Sequence, residues 1–174
     1  MQPLLALVLT VATLPFDSVD STRRVNLAQD RQSGADPLLS RLAGQWTGTG
    51  TVLNQPSKIQ MAWSWELGGR FIRLTFRNEM GAAPKVNVFE GHAYYRPVAD
   101  GQYRGMWFDN SGMLRPLDAR RDGDALVSKW GTAETEEGET TYRLREDGTM
   151  EVVDRVKGKD GTWREFGRAT YSRL

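Results

Sequence analysis

Residues 58–78, KIQMAWSWELGGRFIRLTFRN, read as two β-strands folded onto each other. Ile59, Met61, Trp63, Trp65 and Leu67 alternate with Lys58, Gln60, Ala62, Ser64 and Glu66, the period-2 pattern of a strand with one dry face. Gly68-Gly69 can take the positive φ angles of a two-residue primed turn, which pairs Leu67 with Arg70. Counting back pairs Trp65 with Ile72, Trp63 with Leu74 and Met61 with Phe76. Both apolar sets then share one face, while Gln60/Arg77 and Ser64/Arg73 share the other. A slip of one residue would send every apolar side chain to the wrong face, so the register is well determined. With the aromatic face inside, Arg73 and Arg77 are expected outside.

The same reading extends along the chain. Gly68-Gly69, Met80-Gly81, Asp100-Gly101, Asn110-Ser111-Gly112, Asp122-Gly123, Glu137-Gly138, Asp147-Gly148 and Asp160-Gly161 interrupt strand-like runs at regular intervals. About ten strands follow: 45–53, 58–67, 70–78, 85–95, 102–109, 113–119, 124–131, 139–145, 149–158 and 162–172. An antiparallel up-and-down meander of that size favours closure, which removes sticky edges. Asp36 as N-cap, Pro37 at the first helical position and Leu38, Leu39 and Leu42 on one side predict a short helix ended by Gly44. A three-residue loop at 146–148 aligns Leu144 with Met150 and Tyr142 with Val152. A two-residue turn at Asp160-Gly161 aligns Val152 with Ala169 and Met150 with Tyr171. That parity places Tyr142, Leu144, Met150, Val152, Val156, Trp163, Ala169 and Tyr171 inside, and with them the polar Thr140, Asp154 and Glu165.

Composition narrows the function classes. At 39% hydrophobic and 26% charged residues the chain is globular, and its formal net charge of +1 with interspersed signs argues against nucleic acid as a partner. Cysteine is absent, which removes disulfides, thiolate nucleophiles and Cys-ligated metals. The apolar run Leu4 to Leu14 followed by DSVDSTRR has the shape of a secretory signal peptide over 1–21, with cleavage before Thr22. Residues 22–35 read as a flexible leader and 36–174 as the barrel domain. The expected location is periplasmic or secreted, without stable membrane insertion once the signal is removed.

The run LAGQWTGTGTV, with its Gly-x-Trp-x-Gly-x-Gly strand, resembles the opening of calycin-like barrels of the lipocalin, fatty-acid-binding and nitrobindin type. The runs WSWELGGRFIRL, FEGHAYYRPVADGQYRGMWFDNSG and DGDALVSKW are similar to a bacterial family of secreted calycin-like barrels described as a domain of unknown function. The resemblance covers residues 38–174. It implies an all-β, ten-stranded calycin-like barrel with a short N-terminal helix plugging one end and Trp46 packed near the plug. Nitrobindin-type barrels hold haem through a C-terminal-side His; this chain has none after His92, so no cofactor is expected.

Few constellations carry chemistry. His92 is the only histidine, on a face with Val86, Val88, Glu90 and Tyr94. It can serve as a general base, or stand as a hydrogen-bonded strand residue. One His with scattered acids does not make a metal site. No Gly-x-Ser-x-Gly elbow presents a serine. Asp109, beside Asn110-Ser111-Gly112, reads as a turn cap. Trp63, Trp65, Trp107, Trp130, Trp163 and Tyr94 are the most suggestive set, equally suited to fill a core or to line a pocket. The expectation is a monomeric or weakly dimeric barrel binding a small hydrophobic or amphipathic molecule through Trp63, Trp65, His92, Tyr94, Trp107, Asp154, Trp163 and Glu165. Two alternatives stand beside it: an isomerase or lyase using His92, and a filled-core interaction module.

Overall fold

The structure is a computed structural model that describes residues 36–174; the signal-peptide and leader expectations for 1–35 fall outside the described residues. Helix α1 (Pro37–Leu42) precedes ten strands: β1 (Gly44–Val52), β2 (Gln55–Glu66), β3 (Phe71–Ala82), β4 (Lys85–Ala99), β5 (Gln102–Asp109), β6 (Leu114–Asp122), β7 (Ala125–Trp130), β8 (Gly138–Leu144), β9 (Met150–Lys157) and β10 (Trp163–Arg173). Each strand pairs antiparallel with the next, and β1 closes the barrel on β10, from Trp46 opposite Arg173 to Val52 opposite Gly167. This is the expected up-and-down barrel.

The opening hairpin has the derived register, with Met61 opposite Phe76, Trp63 opposite Leu74 and Trp65 opposite Ile72. Its turn is wider than expected. Strand pairing stops at Glu66 and Phe71, and Leu67 joins Gly68 and Gly69 at positive φ. Leu67 therefore points into solvent at 68% exposure instead of continuing the dry face. The C-terminal registers also follow the parity argument: Leu144 opposite Met150, Tyr142 opposite Val152, and Val152 opposite Ala169. Arg73 and Arg77 lie on the outer wall, Arg73 paired with Glu66 and Arg77 with Glu79 and Glu90.

The helix closes one end. Asp36 caps it by accepting hydrogen bonds from the Leu38 and Leu39 amides, and its second oxygen accepts from the Tyr103 hydroxyl at 2.8 Å. One carboxylate thus ties the helix start to β5. Leu38, Leu39 and Leu42 are buried. The indole of Trp46 donates to the Leu42 carbonyl at 2.9 Å, and the Arg173 guanidinium lies over its ring, 4.4 Å from the centroid. Arg173 also donates to the carbonyls of Arg41 and Ala43, so it bolts the helix exit to the last strand.

Chain direction then sorts the interior along the barrel axis. The start of β1, the β2–β3 turn and the Leu144–Met150 end of the β8–β9 hairpin all lie at the helix end. There Trp46, Trp63, Ile72, Leu74, Tyr103, Leu126, Met150 and Tyr171 form a core with almost no solvent access. Ten strands enclose more room than an eight-stranded barrel, whose interior side chains only just fill. The helix and large side chains take up that room at one end only.

Candidate functional site

The other half of the barrel holds a cavity of about 310 Å³, at the lower end of the range for small-molecule sites. Its walls come from the opposite strand ends: Phe76, Asn78 and Met80 of β3, Phe89 of β4, Trp107 and Asp109 of β5, Trp130 of β7, Thr140 of β8 and Asp154 of β9. Tyr95, Ser128 and Tyr142 lie deeper, toward the packed half, and make its floor.

Aromatic rings dominate the wall. Phe89 stacks on Trp107 with centroids 6.1 Å apart, and Phe76 meets both rings edge-on. Across the cavity Trp130 meets Phe166 edge-on at 6.3 Å. Two glycines let the indoles lie flat against the sheet. A Cβ at Gly91 would fall 2.1 Å from Trp107, and one at Gly138 would fall 1.9 Å from Trp130. Both indole N–H groups are satisfied within the wall, so neither ring needs a polar partner from the cavity. Trp107 donates to Asp109 Oδ2 at 3.0 Å and Trp130 to Thr140 Oγ1 at 3.2 Å.

The polar groups fall into two clusters. At the mouth, Arg115 bridges Asp109 and Glu136 and places its guanidinium 5.4 Å from the Trp130 ring centroid. Asp109 also accepts from the Ser111 amide and hydroxyl and from the Met113 amide, so the turn-capping expectation is met. Burial works to raise its carboxyl, but the Ser111, Trp107 and backbone hydrogen bonds outweigh it and hold the group below the usual carboxylate range. Deeper inside, the Thr140 hydroxyl donates to Asp154 Oδ1 at 2.7 Å while its lone pair accepts from Trp130. Burial pushes Asp154 up to about 6, opposed by the Thr140 hydrogen bond and reinforced by the charge of Glu165. On the floor, Tyr95 Oη and Ser128 Oγ are hydrogen-bonded at 3.0 Å, and burial raises Tyr95 to about 12, so it is a neutral phenol.

Of the residues proposed from sequence, the structure brings Trp107 and Asp154 to this cavity. Trp63 lies below the floor at 2% exposure, edge-on to Tyr142 at 5.2 Å and stacked on Tyr95 at 5.8 Å. It supports the floor without touching the space above. Trp65 packs against the core near the helix end. Trp163 and Glu165 were expected inside and lie outside, because Phe166 is the extra residue of a β-bulge between Glu165 and Gly167. Beyond the bulge the parity flips. Trp163 is 43% exposed, Glu165 pairs with Arg168 on the surface, and Phe166 takes the inward place.

On β4 the inward face is Phe89, Gly91, Ala93 and Tyr95; His92 and Tyr94 face outward. The charge-free set FxGxAxY was the available signal, whereas the outward set around His92 contains Glu90 and Arg96. Sequence reasoning also passed over Asn78, Ser128, Arg115 and Phe166, whose roles depend on which strand ends form the open half. Among the described residues, no group of three or more His, Cys, Asp or Glu side chains is arranged to hold a metal ion.

No protein-family model and no curated protein matches the chain. Among solved structures, the chain is similar to an S-type phycobiliprotein lyase from Guillardia theta, with a TM-score of 0.59 and 7% identity over 84% of this chain and 96% of that one. It also aligns with EF1p2_mFAP2b bound to DFHBI (TM-score 0.47, 11% identity, 81% of this chain and all of that one). A third alignment is to a de novo designed fluorescence-activating β-barrel (TM-score 0.43, 14% identity, 78% and 96% coverage). At these identities the likeness to the lyase establishes a shared barrel fold.

Proposed function

We propose that this protein binds a small hydrophobic or amphipathic molecule inside the open half of its barrel. The observation that carries the reading is the cavity itself, about 310 Å³ walled by Phe76, Phe89, Trp107, Trp130 and Phe166 with Asp154 and Thr140 on one side. A ligand there would replace water against several ring faces, and the few polar groups would orient it. The filled-core module predicts no such space. The isomerase or lyase reading needed His92 inside, within reach of an acid; the imidazole stands on the outer wall and loses that role.

The apolar run at Leu4 to Leu14 and the polar stretch after it support an exported, periplasmic or secreted protein. Sequencing the N-terminus of the protein recovered outside the cytoplasm checks this, with Thr22 as the expected first residue. Native mass spectrometry of the full chain, before and after organic extraction, tests the binding reading. A discrete mass lost on extraction is expected for wild type, with reduced occupancy in Trp107→Ala. A protein that carries nothing and takes up no added methylnaphthalene would refute it.

A further inference from the structure

The cavity's charges do not balance. Its charged lining residues are Asp109, Arg115, Glu136 and Asp154, three carboxylates against one guanidinium. Arg115 is already committed to both Asp109 and Glu136. Asp109 is further consumed by Trp107, Ser111 and Met113. Among the described residues, Asp154 alone of the three carboxylates has no cation partner. Its one described hydrogen bond comes from Thr140, whose hydroxyl is oriented toward Oδ1 because Trp130 occupies its lone pair. No described residue donates to Oδ2. The other charged group acting on it is Glu165, of the same sign. Asn78, 2% exposed, adds a neutral polar side chain to the same wall.

An unpaired carboxylate in an apolar enclosure is costly unless something neutralises it. Among the described residues no cation does so, and the rings around the cavity supply the electron-rich faces that attract cations. We infer that the cavity is selective for small organic cations, with an ammonium or amidinium head donating to Asp154 and an apolar body lying between Trp107, Phe89, Trp130 and Phe166. This rests on the ligand-binding reading and specifies its ligand class. A fatty acid or other carboxylate is disfavoured: among the described residues Arg115 is the one cation on the lining and is shared by Asp109 and Glu136, while Arg73 and Arg77 lie outside.

The test uses three probes of one shape, naphthylmethylamine, methylnaphthalene and naphthoate, titrated calorimetrically into the full chain near pH 7.5, where the amine is charged and Asp154 ionised. Wild type should bind the amine at least about tenfold more tightly than naphthoate. Asp154→Asn preserves the shape and the acceptor for Thr140, and should bring the two within about twofold while methylnaphthalene affinity holds. Circular dichroism of the variant reports that it is folded. Equal or tighter binding of naphthoate by wild type, or a preference that survives Asp154→Asn, would overturn the inference. Binding of methylnaphthalene alone would do so too, yet leave the ligand-binding reading standing. If none of the three binds, that underlying reading falls as well.

Discussion

Asp154→Asn should stabilise the ligand-free protein, by an amount that grows with pH. Burial, against the Thr140 hydrogen bond and with the help of Glu165, raises this carboxyl from 3.8 to about 6. Between those values the folded protein holds the proton more tightly than the unfolded chain, so ionisation works against the fold. Stability from this group is present at low pH and is lost as pH rises from about 4 to about 6. Two pH units at roughly 1.4 kcal/mol each put the cost near 3 kcal/mol once the group is ionised. The asparagine keeps the shape and the Thr140 contact and removes the charge. Urea unfolding of both proteins at a series of pH values reads the difference, and other titrating groups cancel in the comparison. Near pH 4 the two should be nearly equal; near pH 7 the variant should lead by about 3 kcal/mol, or on the order of 10 °C in Tm. A difference that does not change with pH, or a variant weaker than wild type at neutral pH, would refute the claim that Asp154 is desolvated without a cation partner among the described residues.

Other substitutions probe the walls. His92→Ala, on the outer face, should change stability by no more than about 0.5 kcal/mol in a thermal melt and leave probe affinity unaltered. Gly138→Ala places a Cβ 1.9 Å from the Trp130 ring, so the indole must move into the cavity. Its expected signature is a loss of about 1–3 kcal/mol and a shift in tryptophan emission. Trp107→Ala removes a ring that contacts Phe76 and Phe89; chemical denaturation should show a cost of about 3 kcal/mol, and calorimetry a weaker methylnaphthalene complex.

Most of the fold was legible because a strand's period of two, with a glycine turn to fix the count, determines both register and face. Met61 through Trp65 and their partners follow from the letters alone. The failures have local causes. Nothing in TWREFGRATY marks the extra residue at Phe166, and that one residue turned Trp163 and Glu165 outward. On β4 both faces carry large side chains, so Val88 and Tyr94 looked as suitable for the interior as Phe89 and Tyr95. The choice between core and pocket wall was beyond parity altogether. It depends on height along the barrel axis, which is set by where α1 docks. Trp63 and Trp107 obey the same alternation, yet one is sealed beneath the floor and the other faces the cavity.

That division between a packed half and an open half is the central claim, and the indole N–H resonances read it directly. Methylnaphthalene titrated into the full chain and followed by proton–nitrogen correlation spectra should shift the signals of Trp107 and Trp130, saturably and together. Those of Trp46, Trp65 and Trp163 should stay in place. Saturable shifts at Trp46, or none at Trp107 and Trp130, would contradict the account.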